Sequence, residues 1–315
     1  MASVDQLLTE LGLLGSARTS DLATRLGVSQ PTISRLISAA GDRVCRMGSG
    51  RARRYAPTRS LSTLGPQLPV YRVDESGKVH RDGELNLLAN GRHWLETAKG
   101  MGVLFEGLPP FAADMSPQGY VGRSFTTRYP ELGLPQRITD WNDDHRLIAL
   151  ARRGEDCTGN LIIGDESLNR FLAQTPTSVR PSDYPALARS SMAGQPGSSA
   201  GGAQPKFATY SEDRHVLVKF SGADEGAAAR RSRDLLASES FALETLRVEG
   251  LPAASSRSLS IEGRRFLEVE RFDRVGLRGR RALLSLGAID DEYFGHRDRA
   301  CGKTVEVLAR QVPGA

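Results

Sequence analysis

A lysine on one predicted element and a glutamate on the next are the residues of this chain whose types and spacing could do chemistry. Lys219 lies in the apolar segment 215–220, which predicts a buried strand, and Glu239 lies in a helix that the spacing predicts over 231–248. The apolar stripe of that helix consists of Leu235, Leu236, Ala242, Leu243 and Leu246. Glu239 is four residues from a leucine on either side, so it falls on this stripe. An ionised carboxylate that faces a core is costly unless it is paired, which predicts an ion pair with Lys219; a glutamate at the edge of the stripe that reaches water is the alternative.

A glycine- and serine-rich segment, residues 194–206, precedes the lysine strand. Glycines let backbone N–H groups approach phosphate oxygens, and a lysine on the next strand can neutralise them. The segment has no G-x-x-x-x-G-K-[ST] run, and taken alone it favours a flexible linker. Followed by a strand lysine and a helix glutamate, it is instead typical of the phosphate site of protein-kinase-like folds. Segment 265–274 then predicts an alternating strand with a charged turn, which corresponds to the strand that enters the adenine-contacting hinge.

The N-terminal fifth of the chain carries all of its excess positive charge. Residues 1–60 contain nine arginines and four acidic residues, whereas the rest of the chain has equal numbers of basic and acidic residues. A local excess of this kind indicates a polyanionic partner for that segment.

The same segment predicts a helix-turn-helix followed by a wing. Apolar residues at helical spacing predict three short helices, of which the third is capped by Ser29 and carries Pro31 in its first turn. The outward residues of this third helix are Gln30, Thr32, Ser34 and Arg35. Residues 43–55 predict two strands around a Gly-Ser-Gly turn, and the arginines expected to reach DNA phosphates or the minor groove are Arg51, Arg53 and Arg54. The sequence TSDLATRLGVSQPTISRLI resembles the winged helix-turn-helix of bacterial transcription regulators; a small helical interaction domain with a solvated arginine face is the alternative.

The middle of the chain predicts structure without a catalytic constellation. Strands are expected at 70–73, 78–80 and 161–163 and a helix at 141–153. The histidines His80, His93 and His145 are dispersed, and the cysteines Cys45, Cys157 and Cys301 are too far apart in sequence for a metal knuckle or a disulfide framework. No metal site is therefore expected. Because the chain has neither a membrane-spanning run nor a signal pattern, we expect a cytoplasmic protein without a membrane partner.

Four sequences in order, SSAGGAQPKF, HVLVKF, ASESFALETL and LEVERFDR, resemble the HipA family of bacterial serine/threonine kinase toxins. Two more, PQGYVGRSF and LIALARRGEDCTGNLIIGDESL, resemble its winged-helix-fused branch, so the resemblance covers about residues 1–298. The resemblance implies an enzyme that uses ATP and Mg²⁺ to phosphorylate a protein substrate in a toxin–antitoxin setting. The implied nucleotide-binding residues are the phosphate loop Gly201, Gly202, Ala203 and Gln204, the Lys219–Glu239 pair, and the hinge residues Glu270 and Phe272. Ser199 matches the loop serine that these kinases autophosphorylate, which would repel ATP phosphate and eject the loop.

The family's Asp-x-His-x-x-Asn catalytic loop and its later metal-binding aspartate have no counterpart in the sequence, so no catalytic residue is assigned. Only 41 residues follow Arg274, too few for the family's helical lobe, and the segment 296–298 imitates a kinase H-R-D sequence without the asparagine that should follow. We therefore expect a chain that is truncated or frameshifted relative to the family and a poor kinase by itself. An antitoxin or a separately encoded lobe could be its partner. The alternative function is a DNA-binding transcriptional regulator with a vestigial nucleotide-binding lobe.

These observations predict an α+β fold, in which a winged helix-turn-helix that binds duplex DNA is followed by a β-rich HipA-type subdomain and a kinase-like N-lobe that lacks most of the helical C-lobe. The expected divisions are a winged helix at 1–58, a linker at 59–69, the subdomain at 70–180, the N-lobe at 181–298 and an atypical tail at 299–315.

Overall fold

The structure is a computed structural model that describes residues 2–61, 64–98, 100–192 and 204–293. It is a mixed α and β chain, as the sequence predicts. We refer to residues 2–58 as the N-terminal segment, 64–173 as the middle segment and 178–293 as the C-terminal segment. No helix among the described residues is long and apolar enough to cross a membrane.

The N-terminal segment consists of three helices and a two-stranded antiparallel hairpin. Its elements are α1 (Val4–Leu14), α2 (Thr19–Leu26), α3 (Gln30–Ala40), β1 (Val44–Met47) and β2 (Arg54–Pro57). Ser29 caps α3, since its hydroxyl accepts the Thr32 backbone N–H at 3.4 Å. Gly27 ends α2 in the left-handed conformation that glycine adopts without a steric penalty. The helices enclose a core of Leu7, Leu11, Leu22, Ile33 and Ile37.

The middle segment is built on a five-stranded antiparallel sheet of order β6-β5-β4-β3-β7. Its strands are β3 (Gln67–Val73), β4 (Val79–Leu87), β5 (His93–Thr97), β6 (Gly102–Phe105) and β7 (Leu161–Ile163). Its helices are α4 (Pro110–Met115), α5 (Gly119–Arg128), α6 (Asp143–Arg153) and α7 (Asp165–Ala173). Leu85, Leu87, Leu147, Leu150 and Ile163 form the centre of the core between sheet and helices.

The segment predicted as a linker, 59–69, is hydrogen-bonded to this sheet at both ends. The Arg59 backbone N–H donates to Leu87 O at 2.9 Å, and β3 begins at Gln67, three residues before the expected strand start. An apolar cluster that includes Met47, Leu88 and Trp94 joins the hairpin to the sheet. The N-terminal segment therefore packs directly on the middle segment.

The C-terminal segment contains a second five-stranded sheet, of order β11-β12-β10-β9-β8. Its strands are β8 (Ser178–Val179), β9 (Lys206–Ser211), β10 (Arg214–Phe220), β11 (Ser256–Ile261) and β12 (Arg264–Glu270), with a short hairpin of β13 (Arg274–Val275) and β14 (Gly279–Arg280) after it. Its helices are α8 (Tyr184–Met192), α9 (Ala227–Val248) and α10 (Leu286–Tyr293). Strand β8 pairs with β9, so residues 178–179, expected in the preceding subdomain, are part of this sheet.

Candidate functional site

The two faces of the C-terminal sheet have different chemistry, because successive side chains of a strand point to opposite faces. On one face, Val216, Val218 and Phe220 are fully buried and pack with Tyr184 of α8 and Phe266 of β12. The strand predicted over 215–220 is thereby confirmed. The other face is the one that carries Lys219, and we call it the lysine face.

Lys219 and Glu239 form the predicted ion pair, in which Lys219 Nζ donates to Glu239 Oε1. The reason given for it from the sequence is wrong, however. The side chains are 22% and 38% exposed, and on the expected buried stripe Leu235 is 55% exposed. Leu236 is the buried leucine of α9, because α9 meets the sheet through a narrower contact than its apolar spacing suggests. Glu239 therefore lies at the edge of the helix contact, in reach of both the strand lysine and water.

The lysine face includes two rows of residues that run across three strands. In one row Lys219 of β10 stands between Lys206 of β9 and Leu267 of β12. Two residues along the strand, Leu217 stands between Ala208 and Val269 in the second row. Ala208 is exposed and its two neighbours are partly buried. The face thus offers cations at one end and, about 7 Å along the strands, a partly exposed apolar strip.

The predicted hinge lies beyond this strip, at the end of β12. The Glu270 backbone N–H donates to Ser255 O at 2.8 Å, so it is not free for a ligand. The Arg271 backbone N–H donates to His215 O at 2.9 Å. Within the described ranges the Phe272 backbone N–H has no hydrogen-bond partner, and its side chain is 64% exposed. Of the two predicted hinge residues, Phe272 is therefore the one whose backbone N–H is available to a ligand.

The predicted phosphate loop is described only at its end. Gln204 Nε2 donates to Phe220 O at 2.6 Å and to Ser232 Oγ at 3.0 Å, so this side chain ties the start of β9 to β10 and α9. Gly201, Gly202, Ala203 and Ser199 lie outside the described residues, as does the segment 296–298.

The N-terminal arginines fall into two groups. Five are exposed and make no side-chain hydrogen bond or ion pair with the described residues: Arg18, Arg35, Arg46, Arg51 and Arg53. Arg54 instead donates to Ser16 O at 2.7 Å, and Arg59 is fixed by Leu88 O at 3.1 Å and by the ring of His93 at 3.0 Å. On α3, Gln30, Ser34 and Arg35 are exposed, whereas Thr32 is partly buried and its hydroxyl bonds Ser29 Oγ at 2.9 Å.

Comparison with known proteins identifies the family. Residues 64–172 match the family model described as YjjJ-like toxin, middle domain, and residues 198–305 match the HipA-like C-terminal domain. Over 300 residues the chain is 38% identical to Toxin YjjJ of Escherichia coli strain K12. The matched region covers 91% of this chain and 67% of that toxin. The chain belongs to the HipA family of toxins. The resemblance noted in the sequence is thus confirmed.

A solved structure is also similar to this HipA-family chain. It is described as the Shewanella oneidensis MR-1 toxin–antitoxin system of HipA, HipB and its operator DNA. The match has 17% identity and a TM-score of 0.39, and it covers 69% of this chain and 53% of that one. The HipA-family chain described here therefore spans about half the length of its solved relative.

A buried charge network, which sequence reasoning missed, joins the middle and C-terminal segments of this HipA-family chain. Asp273 accepts from Gly159 N at 2.9 Å, from Arg271 Nη2 at 3.1 Å and from Arg274 Nη1 at 2.7 Å. Burial opposes ionisation of Asp273, but the two guanidiniums outweigh it and hold the pKa of its carboxyl below the usual range. Arg274 also donates to Asp156 Oδ1 at 2.9 Å. The one sequence feature that pointed to this network was the charged turn that follows β12.

Arg280 is the least compensated member of this network. Its side chain is buried, and it donates to Glu155 O. Burial, together with the neighbouring charge of Arg274, lowers its pKa to about 9. Its Nη1 is buried and has no hydrogen-bond partner among the described residues.

No group of three or more histidines, cysteines or acidic residues in the described ranges could hold a metal ion. Cys45 is buried, and burial raises the pKa of its thiol to about 12. His93, the first residue of β5, is fully buried; its Nε2 contacts Arg59 Nη2 at 3.0 Å and its Nδ1 contacts Gly107 O at 2.7 Å. These side chains serve packing and hydrogen bonding.

Proposed function

We propose that this HipA-family chain binds the phosphates and adenine of ATP on the lysine face and binds duplex DNA through its N-terminal segment. The proposed C-terminal unit is the N-lobe of a protein serine/threonine kinase, and the N-terminal unit is a winged helix-turn-helix. The family's reaction, transfer of a phosphoryl group from ATP to a protein hydroxyl, is the proposed activity of the toxin to which such a lobe belongs.

The observation that carries the nucleotide proposal is the order of groups on the lysine face. A lysine held by a helix glutamate is positioned to neutralise phosphate oxygens without moving. The apolar strip of Ala208, Leu217 and Val269 could stack against an adenine ring, and the unpartnered Phe272 N–H at the hinge could donate to it. Each part of the nucleotide thus meets matching chemistry on one surface.

The residues of the lysine face fit Mg²⁺ less well than they fit the nucleotide. Glu239 is the described carboxylate whose charge acts on both Lys206 and Lys219, and it already accepts a hydrogen bond from Lys219 Nζ. A magnesium ion needs oxygen ligands that are free to approach it. We therefore assign no step through the metal to these residues.

Binding of ATP to the 315-residue chain tests the nucleotide proposal. Isothermal titration should give binding that falls at least tenfold in Lys219→Met, because a charge-assisted contact to phosphate is lost. Lys78→Met is the matched control, because it removes an exposed lysine of the middle segment, in the turn before β4, and it should bind like the parent. Equal binding by parent and Lys219→Met would reject the lysine face as the phosphate site.

The DNA proposal is supported by the placement of the unpaired arginines. Arg51 and Arg53 lie in the loop of the β1–β2 hairpin, and Arg35 lies on the exposed side of α3. An exposed helix flanked by a basic hairpin suits a major-groove contact with phosphate contacts beside it. The affinity for duplex DNA should accordingly fall steeply as salt rises.

A second candidate function is a DNA-binding regulator whose nucleotide-binding lobe is vestigial. One observation favours it: Arg35, Arg51 and Arg53 are exposed, make no side-chain hydrogen bond or ion pair with the described residues, and belong to a segment that contains no part of the lysine face. Incubation with labelled ATP and Mg²⁺, followed by mass spectrometry of the peptide that contains Ser199, separates the two. Label that disappears in Lys219→Ala supports the kinase, whereas DNA binding without label favours the regulator.

A further inference from the structure

Strand β6 forms one edge of the middle-segment sheet. It pairs with β5 on one side, and within the described residues no strand pairs with its other side. The Thr97 backbone N–H donates to Met101 O at 2.8 Å, so the backbone groups of Met101 point towards β5. Because these groups alternate in direction along an antiparallel strand, the N–H and C=O groups of Gly102 and Leu104 point away from the sheet. The edge therefore presents two donors and two acceptors to another strand.

The side chains of this edge are apolar and exposed. Met101, Val103 and Leu104 all lie open to solvent. Residues 101–105 include no charged residue and no proline, and β6 pairs with β5 without a bulge. Charges, prolines and bulges are the usual means by which an edge strand is protected from pairing with another chain. This edge has none of these means, which indicates a strand that a partner strand covers.

The edge is also complementary to itself. Gly102 has no room for a side chain, because a Cβ there would lie 1.8 Å from Trp94 Cζ2. When two copies of β6 lie antiparallel with their Val103 residues opposite each other, the Leu104 of each copy lies opposite the Gly102 of the other. The large side chain then fills the space beside the Trp94 ring. The two valines form a pair without hydrogen bonds between them, in which side chains approach closely and β-branched residues pack well.

We propose that two copies of the chain pair antiparallel through β6 about a two-fold axis at Val103. The two five-stranded sheets then form one continuous sheet. In this register Gly102 and Leu104 of each copy exchange N–H to C=O hydrogen bonds with Leu104 and Gly102 of the other. The same surface serves both copies, as a two-fold interface requires, so a second copy suits the edge better than an unrelated strand.

The flanking residues agree with this register. Met101 of each copy lies opposite Phe105 of the other, which is a favourable contact between a thioether and an aromatic ring. Glu106, the first charged residue after the strand, lies opposite Gly100 of the other copy. No like charges face each other in this register, so electrostatic repulsion does not oppose the pairing.

Pairing through β6 also fixes the two N-terminal segments relative to each other. Trp94, which lies beside the edge, packs with Met47 and Leu88 in the cluster that joins the β1–β2 hairpin to the sheet. A two-fold dimer thus presents two N-terminal segments, as do dimers that bind two half-sites of a duplex. The pairing itself does not depend on DNA binding, so failure of the DNA proposal leaves it standing.

Sedimentation velocity of the 315-residue chain over a range of concentrations tests the pairing. The parent should change from monomer to dimer as the protein concentration rises. Val103→Lys should raise the dissociation constant about tenfold or more, because it places two ammonium groups opposite each other and removes the valine contact. Val121→Lys is the matched control, since Val121 of α5 is 46% exposed and Val103 is 47% exposed, and it should dimerise like the parent.

Two further variants test the register and guard against misfolding. Val103→Glu should be monomeric alone, whereas an equimolar mixture of Val103→Lys and Val103→Glu should form heterodimers, because opposite charges then face each other. Leu104→Pro removes an N–H that points away from β5, so it should leave the sheet folded and still prevent the pairing. Circular dichroism at low protein concentration should give all three variants the melting curve of the parent.

Three outcomes would each overturn the proposal. The first is a parent chain that stays monomeric at every concentration, which would mean that the edge is covered within one chain or not at all. The second is a dimer that Val103→Lys and Leu104→Pro leave intact, which would place the interface elsewhere. The third is a mixture of Val103→Lys and Val103→Glu that dimerises no better than either variant alone.

Discussion

Arg274 Nη1 lies 2.7 Å from Asp273 Oδ2, and the two side chains are only 3% and 5% exposed. The same carboxylate accepts the backbone N–H of Gly159, and the same guanidinium donates to Gly159 O. A single loop of the middle segment is thereby held by both members of a buried ion pair of the C-terminal segment. This arrangement fixes the end of β12, where the proposed hinge lies, to the middle segment.

Asp273→Asn should destabilise the chain by about 3 kcal/mol or more, since it leaves buried guanidiniums without their carboxylate. Urea unfolding of parent and variant measures the difference. Glu225→Gln, which alters an exposed ion pair with Arg233, is the control and should change the free energy of unfolding by less than about 1 kcal/mol. Similar effects of the two substitutions would contradict a buried network at this joint.

The second prediction concerns pH and the joint between the N-terminal and middle segments. Burial, with a further contribution from the Arg59 charge, lowers the pKa of His93, against the opposing effects of its hydrogen bond to Gly107 O and of Asp143 and Asp144. A folded-state pKa below the unfolded value of about 6.5 means that the unfolded chain takes up the proton first. The resulting stability is fully present above about pH 6.5 and is lost as the pH falls below it.

His93→Gln should remove most of the stability loss that occurs as the pH falls, because an amide can donate to Gly107 O and accept from Arg59 without titrating. The free energy of unfolding between pH 7 and pH 5 measures it, and one titrating histidine contributes at most about 1.4 kcal/mol per pH unit. An unchanged slope in the variant would place the titrating group elsewhere; among the described residues, His215 is a second histidine whose pKa burial lowers.

The sequence predicted elements and pairings that depend on local patterns. The Ser29 cap and the strands at 161–163 and 215–220 are present. The Lys219–Glu239 pair is present too, although the buried helix stripe from which it was predicted is not. Register across strands is not a local property, so the opposition of Lys206 and Lys219 could not be read from the sequence.

Two other features depend on how distant segments dock. Asp156 meets Arg274 across 118 residues, and Arg59, counted among the basic residues of a DNA-binding segment, is used instead to fix that segment to the sheet. The prediction of a buried apolar stripe on α9 was wrong for a related reason. Apolar spacing shows which residues share a helix face, but the sheet against which α9 packs sets how many of them are buried.

The third prediction revises the strength of the Lys219–Glu239 pair. Because the side chains are 22% and 38% exposed, solvent screens the pair, and the coupling energy should be about 1 kcal/mol and below the 3 kcal/mol expected of a buried pair. A double-mutant cycle with Lys219→Met and Glu239→Gln, followed by urea unfolding, measures it. Additive effects would show that the pair contributes nothing to folding, and a coupling near 3 kcal/mol would restore the buried interpretation.

The last prediction separates the two surfaces proposed to meet DNA. Arg51→Ala with Arg53→Ala should weaken binding to all duplexes and reduce the salt dependence, because these side chains are placed to contact phosphates. Gln30→Ala or Arg35→Ala, on the exposed side of α3, should instead change the preference among sequences. Fluorescence anisotropy of the full chain with a panel of duplexes at several salt concentrations measures both.

Arg137→Ala is the control for these variants, because it removes an exposed guanidinium of the middle segment that makes no hydrogen bond or ion pair with the described residues. Arg54→Ala is expected to differ from both groups. Its guanidinium holds Ser16 O, so the variant should lower the stability of the N-terminal segment as well as the affinity. If Arg137→Ala weakened binding as much as the hairpin variants do, the interaction would be a response to total charge, and the hairpin would have no special role in it.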